Sequence, residues 1–218
     1  VRHATLLKLN ALWRRIKLYV LAVIVALLMT TFGVTIVGVS GRSMEPTLYG
    51  GTGRWLETLY RTDRLLIPKY EAWLHRAGML PGYQRGDIVV FREPANSPYA
   101  TARPVFLVKR IIGLPGDTVS IVRGQVLING VALEQSFITA AGGDIGLSNL
   151  QPLVVPEGHY FVLGDNRRSS VDSRTFGAIP SLSISGRAAA VVWPPRRSGE
   201  RNWRALRAPN AFQALPDP

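Results

Sequence analysis

Between Leu18 and Gly41 the chain carries no charged side chain. A run of that length is too apolar for the surface of a water-facing domain, and it constrains everything that follows. Residues 18–37 alone number 20, enough at a rise of ~1.5 Å per residue to cross a ~30 Å hydrocarbon core. We read them as a transmembrane helix. Lys8, Arg14, Arg15 and Lys17 precede it without an acidic residue, which puts the N-terminus in the cytoplasm and everything after Ser40 on the far side. Trp13 and Tyr19 suit the near interface. A cleaved secretory leader is the competing reading; the stretch is long for one, and no small-x-small site follows closely. Val34-Thr35-Ile36-Val37-Gly38-Val39 is rich in β-branched residues and alternates, which suits a strand as well as a helix end. If the helix starts ahead of Lys17 and stops near Phe32 or Gly33, the following residues enter a sheet and Ser43 sits about ten residues from the membrane.

The formal net charge of +12 would suit a nucleic-acid binder, but its distribution does not. Residues 1–17 hold five basic groups and no acid. The segment from Arg196 to Pro218 holds five arginines against Glu200 and Asp217, and the 178 residues between hold 16 basic and 12 acidic groups. The excess sits at the ends with no aromatic-and-basic motif beside it. A cationic anchor next to anionic lipid follows, with no nucleic acid as partner.

After Ser43 the chain reads as short strands bounded by Gly, Pro, Asp and Asn, at 64–69, 88–92, 105–112, 118–122, 125–128, 160–163 and 191–193. Arg123-Gly124 and Asn129-Gly130 supply the turns of a meander. The fold class is mainly β and mostly antiparallel. The organisation is a basic N-terminus over 1–17, the transmembrane helix over 18–37, an extracytoplasmic β-domain over 38–195, and an Arg- and Pro-rich tail over 196–218 that is mobile or lies on the membrane. Two stretches, 54–62 and 71–79, carry aromatic and aliphatic residues at helical spacing; each reads equally as a helix covering the sheet or as one dipping into lipid.

Chemistry points to two residues. Ser43 sits among small residues just past the apolar segment, and a serine nucleophile needs a base. His3, His75 and His159 are the only histidines, none in a run resembling a catalytic turn, and there is no cysteine. Lys109 can serve only when neutral, and with a free pKa near 10.4 about one amine in a thousand is neutral at pH ~7.4. Its neighbours Val105, Phe106, Leu107, Val108, Ile111 and Ile112 promise desolvation, and Arg110 is an adjacent cation. Together these would bring the pKa to ~8.

Four blocks carry a resemblance: Ser40-Gly41-Arg42-Ser43-Met44-Glu45-Pro46-Thr47-Leu48, Gly86-Asp87-Ile88-Val89-Val90-Phe91, Val108-Lys109-Arg110-Ile111-Ile112-Gly113-Leu114-Pro115-Gly116-Asp117, and the run from Gly164-Asp165-Asn166 to Asp172-Ser173-Arg174. In content and order they resemble the type I signal peptidase family, membrane serine proteases with a Ser/Lys dyad. The resemblance implies coiled, partly barrel-like antiparallel sheets, Ser43 as nucleophile and Lys109 as general base. It further implies that Ser170 hydrogen-bonds the Lys109 amine, that Asp172 pairs with Arg174, and that Asp165 holds Arg110. Taken alone, those acids and arginines equally suit a solvated surface network. Some members carry a serine two residues before the nucleophile; here that position is Gly41 and the serine is Ser40, so backbone or water is expected as the second oxyanion donor.

Substrate would lie in shallow apolar pockets at strand edges, with Val37, Val39, Met44 and Val108 as candidates, aligned by β-augmentation. The family cleaves after small residues. The partners implied are signal-peptide-bearing precursors, membrane lipid and, by proximity, the export translocon of a bacterial cell membrane. No metal-ligand cluster or phosphate loop appears, so no cofactor is implied. A self-cleaving repressor-type protease would share the dyad but predicts a DNA-binding region and no span. A catalytically silent anchored β-domain that binds leader peptides is the alternative from another class.

Overall fold

The computed structural model describes residues 2–51, 60–98, 100, 105–139, 143–197, 199–216 and 218; most of the 54–62 stretch lies outside them. Helix α1 (Arg2–Phe32) contains the apolar window Trp13–Phe32, with a mean hydropathy of 1.9. The uncharged run therefore divides. Gly33 and the β-branched residues behind it end the helix, and strand β1 (Val34–Gly38) takes up the last residues expected as helix over 18–37. One cation serves the helix C-terminus: Lys69 Nζ donates to the Thr30 carbonyl at 2.9 Å.

Among the described residues three open sheets follow, all of their pairings antiparallel, and none closes into a barrel. In the first, β1 is an edge strand beside β2 (Arg64–Pro68), then β12 (Ala190–Trp193) and β15 (Arg204–Ala205). The second runs β10 (Ile179–Pro180), β9 (His159–Leu163), β4 (Phe106–Gly113), β3 (Ile88–Arg92), β11 (Ile184–Arg187). The third runs β7 (Val131–Ala132), β6 (Gln125–Ile128), β5 (Thr118–Val122), β8 (Leu150–Val154). A small hairpin pairs β13 (Arg196–Arg197) with β14 (Glu200–Arg201). The two expected turns have positive φ at both central residues, 47° and 82° at Arg123-Gly124 and 52° and 80° at Asn129-Gly130, the twist that closes a tight hairpin.

Strand β3 buries both faces. Ile88 and Val90 join a cluster with Val39, Met44, Leu48 and Leu65, while Val89 and Phe91 join another with Ile111, Tyr160 and Phe176. Helix α2 (Lys69–Arg76) packs against β11 of the second sheet and β1 of the first, buries Ala72, and leaves Trp73 half exposed against Phe32, ring centroids 5.7 Å apart.

The C-terminal segment corrects the sequence reading. Over 196–218 we expected a tail that is mobile or lies on the membrane, yet β15 extends the first sheet, and Phe212 and Leu215 enter the core cluster of Ile112, Val119 and Phe161. Arg85 donates to the Pro216 carbonyl at 2.8 Å. The physical reason is a buried acid: Asp63 is fully enclosed and draws Arg197 to 2.7 Å, which turns tail arginines from solvated charges into counterions.

Candidate active site

Ser43 opens a tight helical turn. Glu45 N–H donates to the Arg42 carbonyl and Leu48 N–H to the Met44 carbonyl, and the buried side chains of Met44 and Leu48 pin the turn into the core. Gly41, at φ 76°, reverses the chain just before it, a conformation glycine adopts without strain. From the other side, Asn166 N–H donates to the Ser43 carbonyl at 3.1 Å and Asn166 Nδ2 to the Arg42 carbonyl at 3.1 Å. Asn166 was absent from the sequence candidates; only its place in the quoted block pointed to it.

Lys109 occupies the middle of β4, its backbone opposite Val89 of β3. Its side chain is 2 % exposed. The Nζ lies 2.9 Å from Ser43 Oγ and 3.0 Å from the Val108 carbonyl. Burial pushes its pKa down to about 8; Asp172, Asp165 and Glu93 pull the other way, and Arg174 adds to the lowering. The helping cation is thus Arg174, where the sequence suggested Arg110. Neighbours on a strand alternate in direction, and Arg110 is committed elsewhere. It grips Asp165 through two bonds of 2.9 and 2.6 Å, donates to the Gly86 carbonyl at 2.8 Å, and lies over the Phe137 ring at 4.9 Å.

Asp172 and Arg174 pair as expected, Nε to Oδ1 at 2.7 Å and Nη2 to Oδ2 at 2.8 Å. Asp172 is buried, so this is no solvated surface pair. It also caps the short helix Ser173–Phe176 and accepts from Gly164 N–H at 3.0 Å, tying both ends of the loop together. Ser170 differs from expectation. Its hydroxyl is buried and, among the described residues, makes no hydrogen bond to Lys109 or to any other group; the Val108 carbonyl takes the place at the amine that Ser170 was expected to fill. Space explains the crowding here: a Cβ on Gly164 would lie 2.2 Å from Ser170 Oγ and 2.5 Å from the Ser43 carbonyl oxygen.

The four substrate-binding candidates separate by depth. Val39 and Met44 are buried in the core cluster, with Val37 and Val108 packed partly exposed against it. Only Val37 reaches an open apolar groove of about 330 Å³, alongside Thr35, Ile67, Trp73, Val90 and Phe106. Val39 and Met44 are therefore flooring, because the turn at Ser43 folds over them. Phe106, exposed at the start of β4, also lines this groove and was not among the sequence candidates.

The family model described as signal peptidase, peptidase S26, matches residues 12–193. Signal peptidase I of Leptolyngbya laminosa is 38% identical over 147 residues, covering 66% of this chain and 67% of the relative. Signal peptidase I of Bacillus licheniformis is 34% identical over 199 residues, covering 86% and 91%. Among solved structures, a signal peptidase I from Enterococcus faecalis is 36% identical and covers 50% of this chain and 97% of its own, with a TM-score of 0.40.

Proposed function

This chain belongs to the signal peptidase family, peptidase S26, and from that footing we propose that Ser43 and Lys109 are its catalytic dyad. Its function is that of a signal peptidase I, a serine endopeptidase acting on precursors that bear signal peptides. The observation that carries the dyad is the 2.9 Å approach of a buried lysine amine to a serine hydroxyl, with the amine's pKa brought down to about 8.

In the mechanism, the neutral Lys109 amine takes the Ser43 proton as Oγ attacks the scissile carbonyl, and the ammonium so formed protonates the leaving amine. The acyl group rests on Ser43 until water, deprotonated by the same lysine, releases it. The Ser43 backbone N–H donates to the oxyanion. An ammonium has three N–H donors. Ser43 Oγ and the Val108 carbonyl answer two of them, and Ser170, the buried hydroxyl left without a partner, supplies the third acceptor during turnover. Asp172 with Arg174, and Asp165 with Arg110, hold the loop and the strand that present these groups.

An extended substrate would add to the outer edge of β1, which pairs only with β2 among the described residues. The half of β4 before Arg110 is also open, since β9 pairs with it only from Arg110 onward. Substrate side chains would then meet Val37 and Val108, over the floor of Val39 and Met44, in a space that suits small residues. Helix α1 crosses the membrane with the basic N-terminus in the cytoplasm, the catalytic β-domain lies on the opposite side against lipid, and the enzyme works beside the translocon. The test is cleavage of a precursor with an Ala-x-Ala leader by the detergent-solubilised protein and by Ser43→Ala, with the product's new N-terminus mapped. Cleavage after the last alanine by wild type alone is expected; equal cleavage by both rejects the nucleophile.

A further inference from the structure

The loop that carries Ser43 is closed at its base by Gly51, whose N–H donates to the Val39 carbonyl at 3.3 Å, and by Asp63, which bonds both stems. Val39 N–H donates to the Asp63 carbonyl at 2.9 Å. On the other stem, Tyr49 N–H donates to Asp63 Oδ2 and Asp63 N–H to the Tyr49 carbonyl, both at 2.9 Å. Asp63 is fully buried, so its carboxylate needs counterions to stay charged. Among the described residues both come from beyond residue 193, where the family match ends: Arg197 at 2.7 Å and Arg204 at 3.8 Å. Asn202 adds an Nδ2 donor at 3.1 Å and itself accepts from Arg204. Arg204 then reaches past Asp63 and donates from Nη2 to the Thr47 carbonyl at 2.6 Å, inside the nucleophile's own turn. Arg197 lies over the Tyr49 ring at 4.6 Å.

We propose that the C-terminal segment is a clasp in which Arg204, with Arg197 and Asn202, locks Asp63 and Thr47 and thereby positions Ser43. These are positioning residues; none touches the reacting atoms. The proposal rests on the dyad reading, because it assigns the clasp a catalytic consequence. Misplacement of a nucleophile by ~1 Å costs up to about a hundred-fold in rate, so a loosened turn shows in kcat. Bound substrate touches β1 and β4 and leaves KM little changed.

The experiment uses the full chain in detergent and compares wild type, Arg204→Met, Arg204→Lys and Arg201→Met, the last an exposed arginine of the same segment that reaches neither Asp63 nor Thr47. Three quantities are read: kcat and KM for the Ala-x-Ala precursor, the acid limb of the pH–rate profile, and amide hydrogen exchange over residues 43–49. Arg204→Met is expected to lower kcat about ten- to a hundred-fold with KM and the acid limb unmoved, and to speed exchange at 43–49. Arg204→Lys should recover part of both, and Arg201→Met should match wild type. Unchanged exchange at 43–49 in Arg204→Met, unchanged kcat with only a lowered Tm, or an equal loss in Arg201→Met overturns the clasp. If wild type fails to cleave the precursor, the peptidase reading falls by itself while the exchange data still decide whether Arg204 holds the loop.

Discussion

Lys109 and Arg110 are neighbours in the chain, yet each faces its own partner: the lysine amine meets Ser43 Oγ at 2.9 Å and the guanidinium closes on Asp165 at 2.6 Å. One strand thus presents a cation that, in the proposed mechanism, must lose its charge beside one that keeps it. The difference lies in the counterions. Arg110 has a carboxylate in bidentate contact, whereas the Lys109 amine, among the described residues, directly contacts a hydroxyl and a carbonyl, with its carboxylates acting from further away.

The amine should set the pH dependence of cleavage. Its folded pKa is lowered to about 8 from 10.5, so the neutral base fades as pH falls below about 8. By pH ~6 about one molecule in a hundred carries it, and kcat/KM should drop about ten-fold per unit over that range. Stability follows the opposite member of the same linkage. Between about 8 and 10.5 the unfolded chain binds more protons than the folded one, so stability rises with pH there, by up to about 3 kcal/mol, and is lowest below the folded pKa. Lys109→Met should abolish this rise in a denaturant series taken from pH ~7.5 to ~10.5. Lys109→Arg should lose at least about a thousand-fold in cleavage although charge is kept, because guanidinium does not deprotonate.

Asp165→Leu should destabilise the fold by about 3–5 kcal/mol, since Arg110 would remain buried without its counterion. The double variant Asp165→Leu with Arg110→Met should recover most of that loss. Chemical denaturation of the four proteins closes the cycle; additive losses would reject the pairing as the cause.

Gly164→Ala should abolish cleavage, because the new methyl group would lie 2.5 Å from the Ser43 carbonyl oxygen as well as 2.2 Å from Ser170 Oγ. Adding Ser170→Gly should not restore activity, since it frees the side-chain contact and leaves the backbone one. Precursor cleavage by both variants, with circular dichroism to verify folding, measures this.

Phe212→Ala should lower stability by about 3–5 kcal/mol, the range for removing a buried aromatic side chain. Phe212 is 6 % exposed and packs with Leu215 against the Ile112 cluster. A thermal shift within the scatter of surface substitutions would place it outside the core.

The strands of alternating or continuous apolar residues were legible in sequence: β3, β5 and β6 fall at their expected bounds. β8 was not, because Pro152 breaks its pattern; the structure tolerates it on the edge of the third sheet. β11 hid behind Gly186, whose missing side chain makes room for Ile67. At the site, the approach of Lys109 to Ser43 and the two carboxylate–arginine pairs were readable because their residue types are chemically restrictive. The unpaired Ser170 hydroxyl and the Arg174 field at Lys109 were not, since both depend on how a loop packs in three dimensions. The tail was misread for a related reason. Five arginines look solvated until Asp63, the buried acid that two of them, Arg197 and Arg204, neutralise, is seen.

Only Gly33 separates the last residue of α1 from the first of β1, and the contacts of Lys69 with Thr30 and of Trp73 with Phe32 brace that joint. The connection between α1 and the first sheet is therefore short and held by side chains on both sides. With α1 as the proposed membrane anchor and Ser43 as the proposed nucleophile, such a mount would work as a depth gauge: a scissile bond would have to arrive at the height of Ser43 along the axis of α1 to be cut.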